Sequence, residues 1–186
     1  MTAFFKSMTA FFRSLDALIR WLGTASLAVA AVFIGLLAIV GTADSIGTQI
    51  FAMPVPSALE MSQAGMVVVV FMGLAYAQRR RGHVTVDIFT GRFEGGMKVV
   101  FTALALVAAI AFFSFLAWRS GIAAWESYQI DERSWGLTRF PIWPSKIALS
   151  FGCIVALLES LRQFVHLCLG NPDVYEAHAI DEDAGI

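Results

Sequence analysis

Long apolar runs without a single charge alternate with short charged segments along this chain. The charge-free runs are residues 21–43, 61–78 and 99–118, which are 23, 18 and 20 residues long. A helix needs about 20 apolar residues to cross the roughly 30 Å hydrocarbon core of a bilayer. Each run therefore predicts a transmembrane helix. Strands are excluded, because an open sheet cannot satisfy its backbone hydrogen bonds in lipid.

A fourth apolar stretch follows at residues 142–161, with Lys146 near one end and Glu159 near the other. Charged groups near the ends of a span can reach the interface, so this stretch also predicts a helix. Arg162 lies three residues after Glu159, and the two should pair on one helix face. The predicted fold is an all-α integral membrane protein with four spans, at about residues 21–43, 57–78, 97–120 and 142–163.

Lysine and arginine are distributed unevenly between the two predicted sides of the membrane. Nine lie in the N-terminal arm, the loop after the second span and the start of the tail: Lys6, Arg13, Arg20, Arg79, Arg80, Arg81, Arg92, Lys98 and Arg162. Four lie on the opposite side: Arg119, Arg133, Arg139 and Lys146. The positive-inside rule therefore predicts that both termini are cytoplasmic.

The two ends of the chain differ from the four-helix domain at residues 21–167. Residues 1–7 and 8–14 read MTAFFKS and MTAFFRS, a repeat of seven that keeps Phe4 and Phe11 on one helical face. With its basic residues, the segment 1–20 predicts a short amphipathic helix at the inner interface. A local duplication that makes Met8 a second usable start is a compatible alternative. Residues 168–186 form an acidic cytoplasmic tail, to which we assign no role.

Aromatic and basic side chains mark the predicted interfaces. Four of the five tryptophans fall at the predicted outer face, which indicates an aromatic belt there: Trp118, Trp125, Trp135 and Trp143. Arg79, Arg80 and Arg81 follow the second span, where they would bind anionic headgroups. We therefore predict lipid-headgroup anchoring by these three arginines together with Trp118, Trp125 and Trp135.

The composition narrows the range of functions. Hydrophobic residues make up 58% and charged residues 15%, too few charges to cover a water-soluble domain. The net charge of −1 provides no basic excess for nucleic acid. Cys153 and Cys168 are 15 residues apart on one predicted helix, about 22 Å, which is too far for a disulfide.

We find no sequence signature of catalysis. The chain has no catalytic motif, and its three histidines do not form the intramembrane pair that a haem would need. We expect no enzyme activity, no cofactor and no metal. The middles of the spans also lack an acid for ion coupling, which favours a supporting subunit over a complete transporter.

Sequence signals mark both the beginning and the end of the second span. Ser57 and Glu60 have the spacing of a capping box, and Glu60 could alternatively contact a partner subunit. Gly65 and Gly73 would allow close approach of neighbouring helices. After the span, His83 and Asp87 are four residues apart, which permits a hydrogen bond between them if the segment is helical.

These features resemble the small permease subunit, of the DctQ type, of tripartite ATP-independent periplasmic (TRAP) transporters. That family has four spans, an acidic residue at the start of the second, a basic Gly–His–hydrophobic–x–Val–Asp pattern after it, and a Pro–x–Trp element opening the fourth. The matching residues over about residues 15–167 are Glu60, Arg80, Arg81, Gly82, His83, Val84, Val86, Asp87, Pro141 and Trp143.

The resemblance implies a non-catalytic scaffold in the bacterial inner membrane that binds a large permease subunit. That large subunit would carry the substrate and sodium sites, and a periplasmic binding protein would deliver an organic acid to it. The residues alone leave two alternatives: a self-contained small transporter or channel acting as a homo-oligomer, and a membrane redox subunit. The repeated arm and the acidic tail are not features of the family.

Overall fold

Four long helices form the protein. The computed structural model describes residues 2–79, 96–134 and 139–168, and their side chains except those of residues 2–15, 75, 79 and 96–98. The helices in this part of the chain are α1 (Thr2–Phe51), α2 (Ala58–Arg79), α3 (Gly96–Gln129) and α4 (Trp143–Cys168). All four are long and apolar enough to cross a membrane. The predicted all-α fold with four spans is confirmed, while the cytoplasmic placement of the termini stays a prediction.

Helices α1 and α3 extend furthest beyond the limits that the sequence pattern predicts. Helix α1 has 50 residues, or about 75 Å at 1.5 Å per residue. Residues 2–20, predicted to form an interfacial helix, are helical and continue without interruption into the first span. Their placement at the inner interface stays a prediction. The segment has no proline that would end the helix at residue 20. Helix α3 continues to Gln129, nine residues past its predicted end at residue 120, through a stretch in which Glu126 is the only charged residue.

Helix α4 organises the bundle, since it contacts each of the other three helices. Helix α1 packs on α2, and less extensively on α4, through one narrow stripe of buried and half-buried residues at alternating spacings of three and four. The stripe on α1 consists of Asp16, Ile19, Gly23, Ser26, Ala30, Phe33, Leu37, Val40, Asp44 and Gly47. Such spacing is that of a coiled-coil seam, which leaves most of the helix surface uncovered by the chain itself.

Helix α3 packs against α4 through a seam of the same kind. Its buried and half-buried positions are Ala103, Leu106, Ile110, Phe113, Ala117, Ser120, Ala124 and Ser127. Residues on the opposite face of α3 are exposed. The bundle therefore presents broad apolar surfaces on α1 and α3 to its surroundings.

Helices α2 and α4 approach most closely at Gly152. A Cβ atom built on Gly152 would lie 2.2 Å from the backbone oxygen of Phe71, so only glycine fits there. Gly65 was predicted to allow close packing, and its Cβ would lie 2.7 Å from Leu37 Cδ2. Gly73, predicted to do the same, has nothing within 4 Å of the added atom. Small residues thus permit contact at two of these three positions.

The contact at Gly152 generates a stability prediction. We expect Gly152→Ala to destabilise the bundle by about 1–3 kcal/mol, because α2 and α4 must separate to accept the methyl group. Thermal unfolding of the purified chain in detergent measures the effect. Gly73→Ala is the matched control, and its midpoint should stay the same or rise slightly. Equal midpoints for the two variants would contradict the packing argument.

Candidate functional site

The motif residues after the second span lie mostly outside the described part of the chain. Arg79 is the last residue of α2, and its side chain is not described. The predicted site residues Arg80, Arg81, Gly82, His83 and Asp87 lie outside the described residues, as does Trp135. The predicted roles of these residues in subunit contact and headgroup binding therefore stay predictions.

Glu60 lies in the first turn of α2 and is half-buried. Ser57 directly precedes the helix, and its carbonyl oxygen accepts a hydrogen bond of 2.9 Å from the Met61 amide. Its φ of 62° is in the left-handed region, whereas an N-cap residue usually has an extended backbone. Helix α2 thus begins where the capping box predicted, but with a different backbone conformation at the cap.

Pro141 and Trp143 lie at the start of α4, beside the segment that joins α3 to α4. We call the described residues of that segment, 130–134 and 139–142, the hairpin. Arg133 and Pro141 form an isolated antiparallel bridge. Within it, the Ser134 amide donates to the Phe140 carbonyl at 2.7 Å, and the Ile142 amide donates to the Glu132 carbonyl at 3.0 Å. The predicted Pro–x–Trp element therefore has a structural role, since it fixes where α4 begins.

An ion pair connects the hairpin to the first turn of α4. The Lys146 ammonium donates a hydrogen bond to the Glu132 carboxylate, and both side chains are about one-third exposed. This hydrogen bond, with the charge of Lys146, lowers the pKa of Glu132 below its ordinary value. A second pair, Arg133 with Asp131 at 2.6 Å, is more than half exposed.

Some of the aromatic residues predicted to form a belt lie together at this end of the bundle, and one lies further along α3. The rings of Trp125 and Tyr128 are 6.3 Å apart, and those of Tyr128 and Trp143 are 5.5 Å apart and perpendicular. Trp118 lies seven residues before Trp125 on α3, which is about 10 Å further along the helix. Headgroup anchoring by Trp118 and Trp125 stays a prediction, but the two tryptophans lie at different depths.

At the opposite end, a cluster of polar side chains connects α1, α2 and α4. We call this cluster the polar junction; its members are Asp16, Gln78, Glu159, Arg162, Gln163 and His166. The guanidinium of Arg162 donates two hydrogen bonds to the Glu159 carboxylate, Nε to Oε2 at 3.0 Å and Nη2 to Oε1 at 2.6 Å. The predicted pairing of these two residues is confirmed.

The other contacts of the polar junction run between helices. Gln163 Nε2 donates to the Gln78 backbone oxygen at 2.9 Å and to Glu159 Oε1 at 3.1 Å, so it caps the last turn of α2. His166 Nε2 lies 3.0 Å from Asp16 Oδ2, which ties α4 to α1. Glu159 is 2% exposed, so its charge depends on Arg162 and Gln163 for compensation.

Sequence reasoning identified the pair within α4 but missed its partners on α1 and α2. Pairs three residues apart on one helix can be read directly from spacing. Asp16 and His166, by contrast, are 150 residues apart. The detectable signal was that Asp16 occupies the first position of the α1 seam, which places its side chain toward the other helices.

Between the polar junction and the hairpin, the buried interior contains little that could bind or react. Its buried hydroxyl groups at Ser26, Ser120 and Ser160 donate to backbone oxygens three or four residues earlier in their own helices. Cys153 and Cys168 are both free thiols, as their separation predicted. In the described ranges, no group of three or more His, Cys, Asp or Glu side chains is arranged to hold a metal ion.

Comparison with known proteins adds a family. The family model described as "Tripartite ATP-independent periplasmic transporters, DctQ component" matches residues 37–170, well over half of the chain. The match begins inside α1 and ends just after α4, so it includes α2, α3 and the hairpin. No curated protein and no solved structure matches the chain.

The polar junction generates a prediction about buried and exposed charge. We expect Arg162→Met to destabilise the protein by about 3–5 kcal/mol, because it leaves the Glu159 carboxylate buried without its cation. Arg133→Met is the control, since it breaks an ion pair of the same 2.6 Å separation that is exposed. That variant should lose about 0–1 kcal/mol. Chemical or thermal unfolding in detergent compares them, and similar losses would argue against a buried charge at Glu159.

The hairpin ion pair generates a prediction about pH. Because the pKa of Glu132 is lowered in the folded protein, the pair stabilises the fold above the ordinary range of a glutamate, about pH 4.3. That contribution is lost as the pH falls through the lower, folded-state pKa. We expect Lys146→Met to reduce the loss of thermal stability between pH 6 and pH 3. A pH profile identical to that of the unmodified chain would show that the pair contributes nothing.

Proposed function

Because the chain belongs to the DctQ component family of TRAP transporters, we propose that it is the non-catalytic scaffold subunit of an importer that takes up an organic acid together with sodium. The partners in this proposal are a large membrane permease subunit and a periplasmic substrate-binding protein. The large subunit carries the substrate and sodium sites. The chain described here supports that subunit in the bacterial inner membrane, with both termini in the cytoplasm.

The observation that carries the proposal is the distribution of polar groups in the bundle. Among the described residues, the one buried charged side chain is that of Glu159, in the polar junction at one end, where Arg162 compensates it. Nearer the middle, the buried hydroxyl groups of Ser26 and Ser120 donate to backbone oxygens of their own helices. A secondary transporter needs polar groups or broken helices at the midplane for its substrate and ions. Over the described residues, the interior of this bundle has neither a charged side chain nor a broken helix at that depth, which favours a supporting role.

The scaffold proposal also fits the exposed surfaces. Helices α1 and α3 use only a narrow seam to pack inside the chain, so their outward faces are available to lipid or to other membrane helices. Nine basic residues lie on the side of the termini, against three at the hairpin (Arg133, Arg139 and Lys146), and this asymmetry supports the cytoplasmic placement. Arg80 and Arg81, at the end of the second span, contribute to that asymmetry.

Purification from native membranes tests the proposal. An affinity tag on this chain should recover a large multi-span protein, and proteoliposomes of the pair should take up an organic acid only with sodium and the binding protein. Proteoliposomes of this chain alone are the control and should be inactive. Uptake by the chain alone would instead support a self-contained homo-oligomeric transporter.

The basic run after the second span generates a further prediction. We expect the double variant Arg80→Glu, Arg81→Glu to reduce insertion and recovery of the assembled complex, because each basic residue contributes about 1 kcal/mol of attraction to anionic lipid. The double variant Arg133→Glu, Arg139→Glu makes the same charge change on the other side and should be inserted normally. Quantitative immunoblots of membranes compare them. Normal levels of complex with the first variant would contradict the predicted role.

A further inference from the structure

Arg119 occupies an unusual place in the bundle. It lies on the face of α3 opposite the seam that packs against α4, and it is exposed. Within the described ranges, its guanidinium makes no ion pair or hydrogen bond. The neighbouring residues on this face are large and apolar: Phe115 is 67%, Trp118 72% and Ile122 40% exposed. A single uncompensated cation therefore lies in the middle of a hydrophobic helix face.

The packing of α3 on α4 determines how deep Arg119 lies. Tyr128 contacts Trp143 at the hairpin end, whereas Leu106 packs with Leu167 at the end of the polar junction. Between them, a Cβ on Gly121 would lie 3.6 Å from Ser150 Oγ, and the hydroxyl of Ser120 interacts with the thiol of Cys153.

These contacts translate into a depth. Trp143 and Arg162 mark the two ends of α4 and are 19 residues apart, or about 28 Å, nearly the thickness of the hydrocarbon core. Cys153 is ten residues from Trp143, or about 15 Å along the helix. Arg119, next to Ser120, therefore lies near the middle of the bilayer, although the sequence pattern had placed it at the outer interface.

An arginine facing lipid at this depth is unfavourable. Insertion measurements put the cost at about 2.5–3.5 kcal/mol for a charged residue at the centre of a span. Snorkelling toward the hairpin is hindered, because side chains on a helix lean toward its N-terminus. In α3 that direction leads away from Tyr128 and further along the membrane-spanning segment. Lipid alone is thus a poor environment for Arg119.

Moving the bilayer relative to the bundle does not resolve the difficulty. Bringing Arg119 to the hairpin-side interface requires a shift of about 15 Å. That shift would place Ile39 and Leu59, both 68% exposed, in water. It would also draw Asp16 and Arg162 of the polar junction into the hydrocarbon. The apolar runs of α1, α2 and α4 therefore define the same position of the bilayer. Helix α3 is displaced along its own axis relative to that position.

We propose that the outward face of α3 around Arg119 is the contact face for the large membrane subunit, and that this subunit presents a carboxylate to Arg119. This proposal rests on the function proposed above. Arginine and carboxylate pair through two parallel hydrogen bonds, and such a pair is worth most where water is absent. The aromatic and aliphatic residues around Arg119 then surround the pair and exclude lipid and water from it.

The charges favour that occupant over the alternatives. A second copy related by a two-fold axis along the membrane normal would bring Arg119 against Arg119, which is repulsive. The nearest exposed acid on the same face, Glu126, is seven residues away, about 10 Å closer to the hairpin. The outward face of α1 has no charge between residues 21 and 43, so lipid can cover it without cost.

Substitution of Arg119 tests whether the outward face of α3 contacts lipid or a protein partner. If the proposal holds, Arg119→Leu should lower recovery of the large subunit with the tagged chain by about tenfold or more, because a buried partner carboxylate loses its cation. Arg119→Lys should retain part of the recovery. Arg139→Leu, which removes an exposed arginine of the hairpin, is the control and should recover the complex normally. Unchanged recovery with Arg119→Leu would overturn the proposal, since a lipid-facing site gains from losing the charge.

Photocrosslinking locates the face directly. A benzoylphenylalanine introduced at Phe115 should form an adduct with the large subunit in the wild-type complex, whereas one at Ile39 on α1 should not. The two positions are matched, with exposures of 67% and 68%. An adduct from Ile39 alone, an adduct between two copies of this chain, or no adduct from Phe115 would each overturn the proposal. If no large subunit is recovered with the unmodified chain, the proposed function fails instead, independently of the face.

Discussion

The carboxylate of Glu159 is the group on which the arrangement of the helices depends most. It is almost completely buried in a bundle that lies in a membrane, where an uncompensated charge would be prohibitively costly. Arg162 neutralises it from the next turn, and Gln163 supplies a further hydrogen bond while reaching the end of α2. The requirement to satisfy one carboxylate therefore determines where two helices meet.

The same junction positions α1. Asp16 lies within hydrogen-bonding distance of His166 and 4.0 Å from Arg162, at one end of the α1 seam. At the other end, Asp44 accepts a hydrogen bond of 2.9 Å from the Val55 amide in the turn before α2. The two aspartates are 28 residues apart, or about 42 Å, which matches a bilayer with its headgroups. Apolar packing along the seam permits sliding, and these polar contacts at its ends specify the register.

The number of helices and their approximate limits follow from charge-free runs, because hydrocarbon excludes charge over a fixed thickness. The extent of α1 and α3 does not follow, since nothing in the aqueous regions forces a helix to end where the membrane ends. The displacement of α3 along its axis relative to the other helices could not be predicted from the sequence either. The sequence positions each span in the bilayer from the charges at its own ends, and by that rule Arg119 lies at the interface. Only the contact of its neighbours with Ser150 and Cys153 shows otherwise.

Of the candidate site, the pair Glu159–Arg162 could be identified from spacing along one helix, and the Pro141–Trp143 element from its resemblance to the pattern of a known family. The contacts of Asp16 and Gln163 connect residues far apart in sequence, and without the packing no pattern links them. Local spacing thus identifies interactions within a helix, whereas interactions between helices emerge from the bundle.

The contrast between α1 and α3 bears on how a supporting subunit recognises its partner. Lipid solvates apolar side chains as well as another helix does, so an apolar face alone gives little preference for a protein partner over the bilayer. A charge in the middle of such a face changes that balance, because its cost is relieved only by a group that lipid does not offer at that depth. The cost carried by Arg119 in the isolated chain becomes a preference for a surface with a complementary carboxylate, and it disfavours self-association. On this argument the least favourable residue of α3 is the one that makes its outward face selective.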